Sequence, residues 1–580
     1  MDFFHDRTFS EHVEALMLEY YVPGVSIAVA HGTEPAIARA FGYASLTNNQ
    51  PCTADTLFDI ASSAKSLTAA AVALLVEDNE NYAHLQYETS MSSLLPDDFV
   101  MSSAQHTKDV TVEDVLSHRT GMAGHDDSYM GLRAAEPDTP QSITRNLRNL
   151  PVAAPCRSRY LYCNMMYTVA TYLVETESKQ PFSEFLEQRF FEPLSMDSSS
   201  LQPARSIERG FGSRLAQGHI WDRESETYQT LECRDCPEGQ GAGSVISSAN
   251  DFIKWVQALI HRKFPITETV YRGLVRMRSI VNPSGRRLKP HSSPAIYAAG
   301  MEVYYYRGHE VIGHDGSTTG FASRFVLLPE LQLGIVVMGN SSGAGPVCRS
   351  IIRALMDEAM NIPASERNLH KKRKEKKSTK ALPSKQDLPT RTVAGRRIDE
   401  MGPGGGTATT THRQVPNLTK KVKTKEFRPA SGALQEIALE AYTGVYSNAG
   451  YRAVTVATKG EKLFIDASDR SMGFTLTFEH RKDQTKYIAY LSDALEGGSE
   501  PVDAEIIFLH GRAVRLGLDL EPAVRGLVWF DFLTSPASVQ SGDGTSSLSG
   551  VEGLGWCDLR MAQDSDDSRI CAVHIRERGE

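Results

Sequence analysis

Up to about residue 360 the apolar positions follow two rhythms, short nearly unbroken runs and longer stretches that return every three to four residues. The short runs, at residues 25–30, 36–42, 298–305, 310–313, 322–328 and 333–338, read as strands. The longer ones, at 62–77, 162–177, 182–191, 250–261 and 346–360, read as helices. Thr8-Phe9-Ser10-Glu11 has the form of a capping box opening an amphipathic helix that ends near Tyr21. Strands thus come from both ends of this region, with helices between them. The expected fold is an α/β sandwich in which one antiparallel sheet joins the first and last segments, flanked by helices, with a helical subdomain inserted in the middle.

Beyond residue 364 the rhythm stops. A basic cluster, Lys371-Lys372-Arg373-Lys374-Glu375-Lys376-Lys377, precedes a tract rich in Pro, Gly and Thr, a composition with too little apolar surface to order itself. Short alternating segments return at 451–456, 463–466, 474–478, 487–490, 504–508, 514–520 and 527–532, as in a small antiparallel barrel or sandwich. The expected organisation is residues 1–364 as one α/β domain, 365–434 as a linker, 435–535 as a smaller all-β domain and 536–580 as a flexible tail.

Composition narrows the function classes. A chain of 580 residues exceeds what one core supports, and 41% hydrophobic with 23% charged residues is ordinary for globular proteins. A net charge of −9 argues against a general nucleic-acid binder. The start, Met1-Asp2-Phe3-Phe4, shows neither the basic nor the apolar stretch of a secretory leader, and no apolar run approaches bilayer length. A cytoplasmic enzyme with no membrane partner is the default expectation. Eight cysteines in so long a chain do not make a disulfide scaffold. Cys233 and Cys236 form a lone Cys-x-x-Cys without a second ligand pair, so neither a metal nor another cofactor is expected.

The candidate chemistry starts at Ser62-Ser63-Ala64-Lys65. An offset of three places Ser62 and Lys65 on one helix face, where a hydroxyl and an amine can share a proton. The next residues, Thr68-Ala69-Ala70-Ala71-Val72-Ala73-Leu74-Leu75-Val76, are apolar nearly all round, which buries the helix and its first turn. Burial lowers an ammonium pKa and makes Lys65 available as a base. Two further polar clusters follow, Tyr160-Leu161-Tyr162-Cys163-Asn164 ahead of a helix and His314-Asp315-Gly316-Ser317 at a strand end. Tyr162 alone could be a core tyrosine, Asn164 a helix cap and His314 a strand-end histidine bonded to backbone.

Ser62-x-x-Lys65, Tyr162-x-Asn164 and His314-x-Gly316 together resemble, in order and spacing, the three active-site motifs of the serine β-lactamase and penicillin-binding-protein superfamily, in its class C-like branch of esterases and D-aminopeptidases. Leu116-Ser117-His118-Arg119-Thr120-Gly121 and Gly243-Ser244 are similar too, and the resemblance spans residues 8–362. It implies that Ser62 is acylated and that Lys65 takes its proton. Tyr162 would relay protons, with the choice of base between Lys65 and Tyr162 left open. Asn164, His314, Gly316 and Ser317 would line the substrate site, with the N–H groups of Ser62 and Ser317 as the oxyanion hole. Tyr167, His118 and Arg119 would belong to the surrounding structure. His314 replaces the lysine of penicillin-directed members, and imidazole is mostly neutral at pH 7.

The expected activity is therefore hydrolysis or acyl transfer on a small ester or amide. A D-amino-acid peptidase, a weak β-lactamase and a catalytically inactive binding module are the alternatives. The partners would be a small ester, amide or D-peptide and no nucleic acid, with a homo-oligomer left open. Residues 203–241 resemble an extended loop near the pocket rim. Tyr442-Thr443-Gly444-Val445-Tyr446 and His510-Gly511-Arg512 resemble the lipocalin-like β domain appended to some of these hydrolases.

Overall fold

The structure is a computed structural model that describes residues 2–286, 288–367 and 435–533. The expected linker from residue 368 onward and the tail from 536 lie outside the described residues.

After a single helical turn at Asp2–His5 comes α1 (Arg7–Glu19), whose N-cap is Asp6, accepting the Thr8 N–H at 3.3 Å. The capping box expected at Thr8 and Glu11 is not formed, because the helix has already begun and Glu11 instead pairs with Arg7 at 2.8 Å. Strands β1 (Gly24–His31) and β2 (Ile37–Ser45) follow. At the far end of the domain come β3 (Glu302–Tyr306), β4 (His309–Thr318), β5 (Phe321–Leu328) and β6 (Leu333–Gly339). Strands β1 and β6 pair antiparallel from Val25↔Gly339 to His31↔Leu333, which joins the two ends of the domain at the sheet centre. The sheet runs β2-β1-β6-β5-β4-β3, extended at both edges by two-residue strands to nine in all. This is the antiparallel sheet expected from the sequence.

Helices α2 (Lys65–Glu77), α3 (Met165–Ser178) and α4 (Ala249–His261) share one apolar core with one face of this sheet. On the other face, α1 packs with α5 (Ala344–Ala359). The apolar stretch of α2 has its predicted consequence, since every residue from Lys65 to Val76 is buried. A turn of tighter 3-10 helix, Ala61–Ala64, precedes it and carries Ser62. The helix read at 162–177 starts only at Met165, leaving Tyr162 outside regular helix and Asn164 at its N-cap. Residues 203–241 hold more structure than an extended loop. They form a helix, Pro203–Glu208, and a hairpin of Gly218–Asp222 with Thr227–Leu231.

Residues 444–532 form a closed antiparallel barrel of eight strands. In order these are β7 (Gly444–Asn448), β8 (Arg452–Lys459), β9 (Lys462–Ala467), β10 (Phe474–Lys482), β11 (Lys486–Asp493), β12 (Gly497–Leu509), β13 (Arg512–Leu518) and β14 (Val528–Phe532). Pairing of Tyr446 with Phe532 closes the barrel. Alternate residues such as Val454, Ile465, Leu476, Ala489, Ile506 and Leu516 are buried and fill it, so the barrel has a packed interior. Among the described residues no helix is long and apolar enough to cross a membrane.

Candidate active site

Ser62 sits where β4 presses on the turn at the start of α2. Ala61 has a left-handed backbone, φ 47°, a conformation costing a non-glycine residue about 1 kcal/mol or more. The Asp59 carboxylate holds it there by accepting the Ala61 N–H at 2.7 Å. Burial pushes the Asp59 carboxyl up to about 6. Ser323 donates to the Ile60 carbonyl at 2.6 Å, and Ser63 and Ser323 share a hydrogen bond of 2.7 Å, tying the turn to β5. Gly316 completes this seat, since a Cβ there would lie 2.1 Å from the Ile60 carbonyl oxygen and 2.4 Å from Ser323 Oγ. Gly316 thus serves close packing, and the next residue of β4, Ser317, runs beside the Ser62 turn. Gly316→Ala is expected to lower folding stability by about 2 kcal/mol, measured as a fall in Tm, and to reduce activity with it by displacing the turn.

Lys65 is fully buried beneath Ser62. Its Nζ lies 3.0 Å from Ser62 Oγ, 2.8 Å from Asn164 Oδ1 and 2.7 Å from the Ala242 carbonyl oxygen. Burial pulls its pKa down to about 7, opposed by the nearby Asp126 carboxylate. A neutral amine has two hydrogens and one lone pair. Asn164 Oδ1 and the Ala242 carbonyl can only accept, so they take the two hydrogens and the lone pair is left facing Ser62 Oγ. From the other side the Tyr162 hydroxyl donates to Ser62 Oγ at 3.0 Å. Burial drives the Tyr162 phenol well above its usual pKa, which keeps it a donor. Ser62 therefore stands between a proton acceptor and a proton donor.

His314 is buried on β4, and both ring nitrogens are engaged. Its Nδ1–H donates to the Asp315 carbonyl, because a carbonyl cannot donate, and its Nε2 accepts from the Tyr297 hydroxyl at 2.8 Å. Burial, with Lys65 nearby, lowers its pKa to about 4, so the imidazole is neutral at pH 7. The structure brings Ser62, Lys65, Tyr162 and Asn164 into direct contact. Gly316 joins through Ile60, and the Tyr162 and His314 rings lie 6.4 Å apart.

Several residues of the site are invisible in the motifs. Asn164 Nδ2 donates to Asp126 at 3.3 Å, placing a carboxylate behind the Lys65–Asn164 pair. Only the fold brings Asp126, Tyr297 and Ala242 here, as none belongs to a recurring spacing. The barrel holds the Asp126 loop. Glu521 accepts the His125 N–H at 2.9 Å, and the Tyr451 hydroxyl donates to His125 Nδ1 at 2.7 Å while His125 Nε2–H donates to the Pro151 carbonyl. The barrel turn after β9 adds Ser471 N–H to the Tyr129 carbonyl at 3.1 Å, and Ser471 Oγ donates to buried Glu238, near the segment that supplies Ala242. Across the site, Glu496 of the barrel accepts from Ser342 at 2.6 Å, and Ser342 Oγ accepts the Gly320 N–H of the β4–β5 turn at 2.9 Å.

Residues 428–531 match a domain of unknown function (DUF3471). Two unguisins hydrolases are similar. That of Aspergillus violaceofuscus is 33% identical over 382 residues, 62% of this chain and 66% of that protein. That of Aspergillus campestris is 29% identical over 531 residues, 90% of this chain and 89% of that protein. The D-aminopeptidase of Brucella ovis is 22% identical over 62% of this chain and 64% of its own length. In fold, the octameric penicillin-binding protein homologue from Pyrococcus abyssi aligns with a TM-score of 0.53 at 19% identity, covering 90% of this chain and 99% of that one. The Beta-lactamase family model matches residues 6–356, from the start of α1 into α5, with Ser62, Lys65, Tyr162 and His314 inside the match. The chain belongs to the beta-lactamase family of serine hydrolases.

Proposed function

We propose that this protein hydrolyses amide or ester bonds of a small substrate through an acyl-enzyme on Ser62. The observation that carries this reading is the placement of Ser62 Oγ 3.0 Å from both the Lys65 amine and the Tyr162 hydroxyl, with the remaining hydrogens of Lys65 already committed to Asn164 and Ala242. In the acylation step the Ser62 proton passes to Lys65 as Oγ bonds to the carbonyl carbon. As the bond to the leaving group breaks, Tyr162 gives that group its proton and is reprotonated from the Lys65 ammonium. Water then enters along the same path in reverse. The N–H groups of Ser62 and Ser317 would face the oxyanion, each such donor contributing about 3 kcal/mol. Lys65 would act as the base and Tyr162 as the acid, since the phenol is held neutral and its hydrogen is spent on Ser62.

Amides take precedence over the ester and acyl-transfer readings because a relative carries the name D-aminopeptidase. The neutral, internally bonded His314 weighs against a β-lactam or peptide carboxylate as the recognised group. The test is hydrolysis of D- and L-aminoacyl p-nitroanilides beside p-nitrophenyl butyrate, with intact-mass detection of the acyl-enzyme. Turnover of a D-anilide with a Ser62 adduct is expected. The rate kcat/KM should rise with pH through about 7, as the Lys65 ammonium loses its proton and the base becomes available. A wild-type protein that folds but forms no adduct with any of these substrates is the binding module, and the reading falls.

A further inference from the structure

His118 lies in the turn that sequence reasoning assigned to supporting structure, yet it grips the residue next to the nucleophile from three directions. Its carbonyl accepts the Leu161 N–H at 2.8 Å and its Nδ1 accepts the Cys163 N–H at 3.1 Å. These N–H groups belong to the residues on either side of Tyr162. Its ring also lies against the Tyr162 ring, centroids 4.2 Å apart and planes tilted by 37°. The chain there is outside regular helix, so no ladder of backbone bonds fixes where the Tyr162 side chain stands. His118 supplies that function from a distant part of the sequence.

The imidazole itself is narrowly constrained. Its backbone is left-handed, φ 56°, and its side chain is completely buried. Because Nδ1 accepts a backbone N–H it is unprotonated, and the ring hydrogen is on Nε2. Among the described residues Nε2 has no hydrogen-bond partner, and the ring is edge-on to Tyr160 and Tyr297 at centroid distances of 5.7 and 4.7 Å. A leucine or phenylalanine would fill such an aromatic pocket without leaving a buried N–H unpaired. What only a side chain with an acceptor at the Nδ1 position can do is hold the Cys163 peptide.

We infer that His118 is a positioning residue for the reaction, setting the distance of the Tyr162 hydroxyl to Ser62 Oγ by holding the backbone N–H groups of its two neighbours, Leu161 and Cys163. The inference rests on the acyl-enzyme reading above. It predicts an ordered series, read as the single-turnover acylation rate with a D-aminoacyl p-nitroanilide, whose leaving nitrogen needs a proton. His118→Ala lowers this rate about 100-fold with little change in KM, the cost of a reacting group displaced by about 1 Å. His118→Asn recovers most of it, since asparagine tolerates a left-handed backbone and its Oδ1 takes the place of Nδ1. His118→Gln, whose acceptor reaches past that position, does not. Paired with Tyr162→Phe, His118→Ala causes no further loss, because both changes remove the same aligned hydroxyl.

An asparagine variant as slow as the glutamine one, an unaffected alanine variant, or full additivity with Tyr162→Phe overturns the inference. If the alanine protein does not fold, the asparagine and glutamine proteins decide between the outcomes, with Tm recorded for each. A Tyr162→Phe protein with an unchanged anilide acylation rate sinks the acid role of Tyr162 and this inference together. A slowed Tyr162→Phe protein beside unaffected His118 variants sinks this inference alone.

Discussion

Exchanging Ser62 for alanine ends covalent capture. The variant takes up no fluorophosphonate, releases no burst of p-nitrophenolate, and turns over about 10⁴- to 10⁶-fold more slowly than wild type. The size of the loss follows from the geometry. Lys65 and Tyr162 both act through Ser62 Oγ, so without that oxygen neither has a proton to move, and what remains is the binding and polarisation offered by backbone donors. Folding is not the cause, because the turn is held through Asp59, Ser63, Gly316 and Ser323 and the Ser62 hydroxyl takes no part in that seat. An alanine protein with native Tm and no adduct by intact mass is the expected result. Persistent labelling at one equivalent would move the nucleophile elsewhere.

Replacing Lys65 by methionine separates catalysis from stability. Acylation is expected to slow by about 10³-fold, the middle of the range for removing a general base, with the Ser62 hydroxyl still present and still bonded to Tyr162. Stability should change little. The fall of the Lys65 pKa from 10.5 to about 7 corresponds to roughly 5 kcal/mol by which burial disfavours the cation, a cost that methionine does not carry. Against this, Asn164 Oδ1 and the Ala242 carbonyl each lose a donor, costing about 1–3 kcal/mol apiece. The two effects nearly offset. The measurement is Tm beside the burst rate. A variant that loses both in proportion would show that Lys65 is a structural cation, and one that keeps its burst would hand the base role to another group. The rise of wild-type activity through pH 7 should vanish with the lysine.

The sheet and the nucleophile helix were legible because burial leaves a strong mark. Residues 68–76 have almost no polar position, and β1, β5 and β6 are nearly continuous apolar runs. Local rules failed where side chains from elsewhere replace local bonds. The helix expected from residue 162 starts at Met165, and the N–H groups of residues 161 and 163 ahead of it are taken by His118. Asp6, not Thr8, caps α1, a difference of two residues that composition alone does not resolve. Of the barrel strands, β12 was half read, since residues 497–501 are Gly, Gly, Ser, Glu and Pro with no apolar alternation, and they pair only because β11 lies alongside. Asp126 has no signature at all. It reaches Asn164 through a loop whose shape is set by residues more than 300 positions away.

That last contact has an evolutionary side. The barrel touches the α/β domain on both flanks of Ser62, through Glu521, Tyr451 and Ser471 on one and Glu496 on the other. Each module therefore constrains what the other can change. A barrel lacking counterparts of Tyr451, Ser471, Glu496 and Glu521 would take these bonds from His125, Tyr129, Glu238 and Ser342, and a hybrid carrying it is expected to have a misaligned loop behind its lysine. Chimeras should be cut outside both.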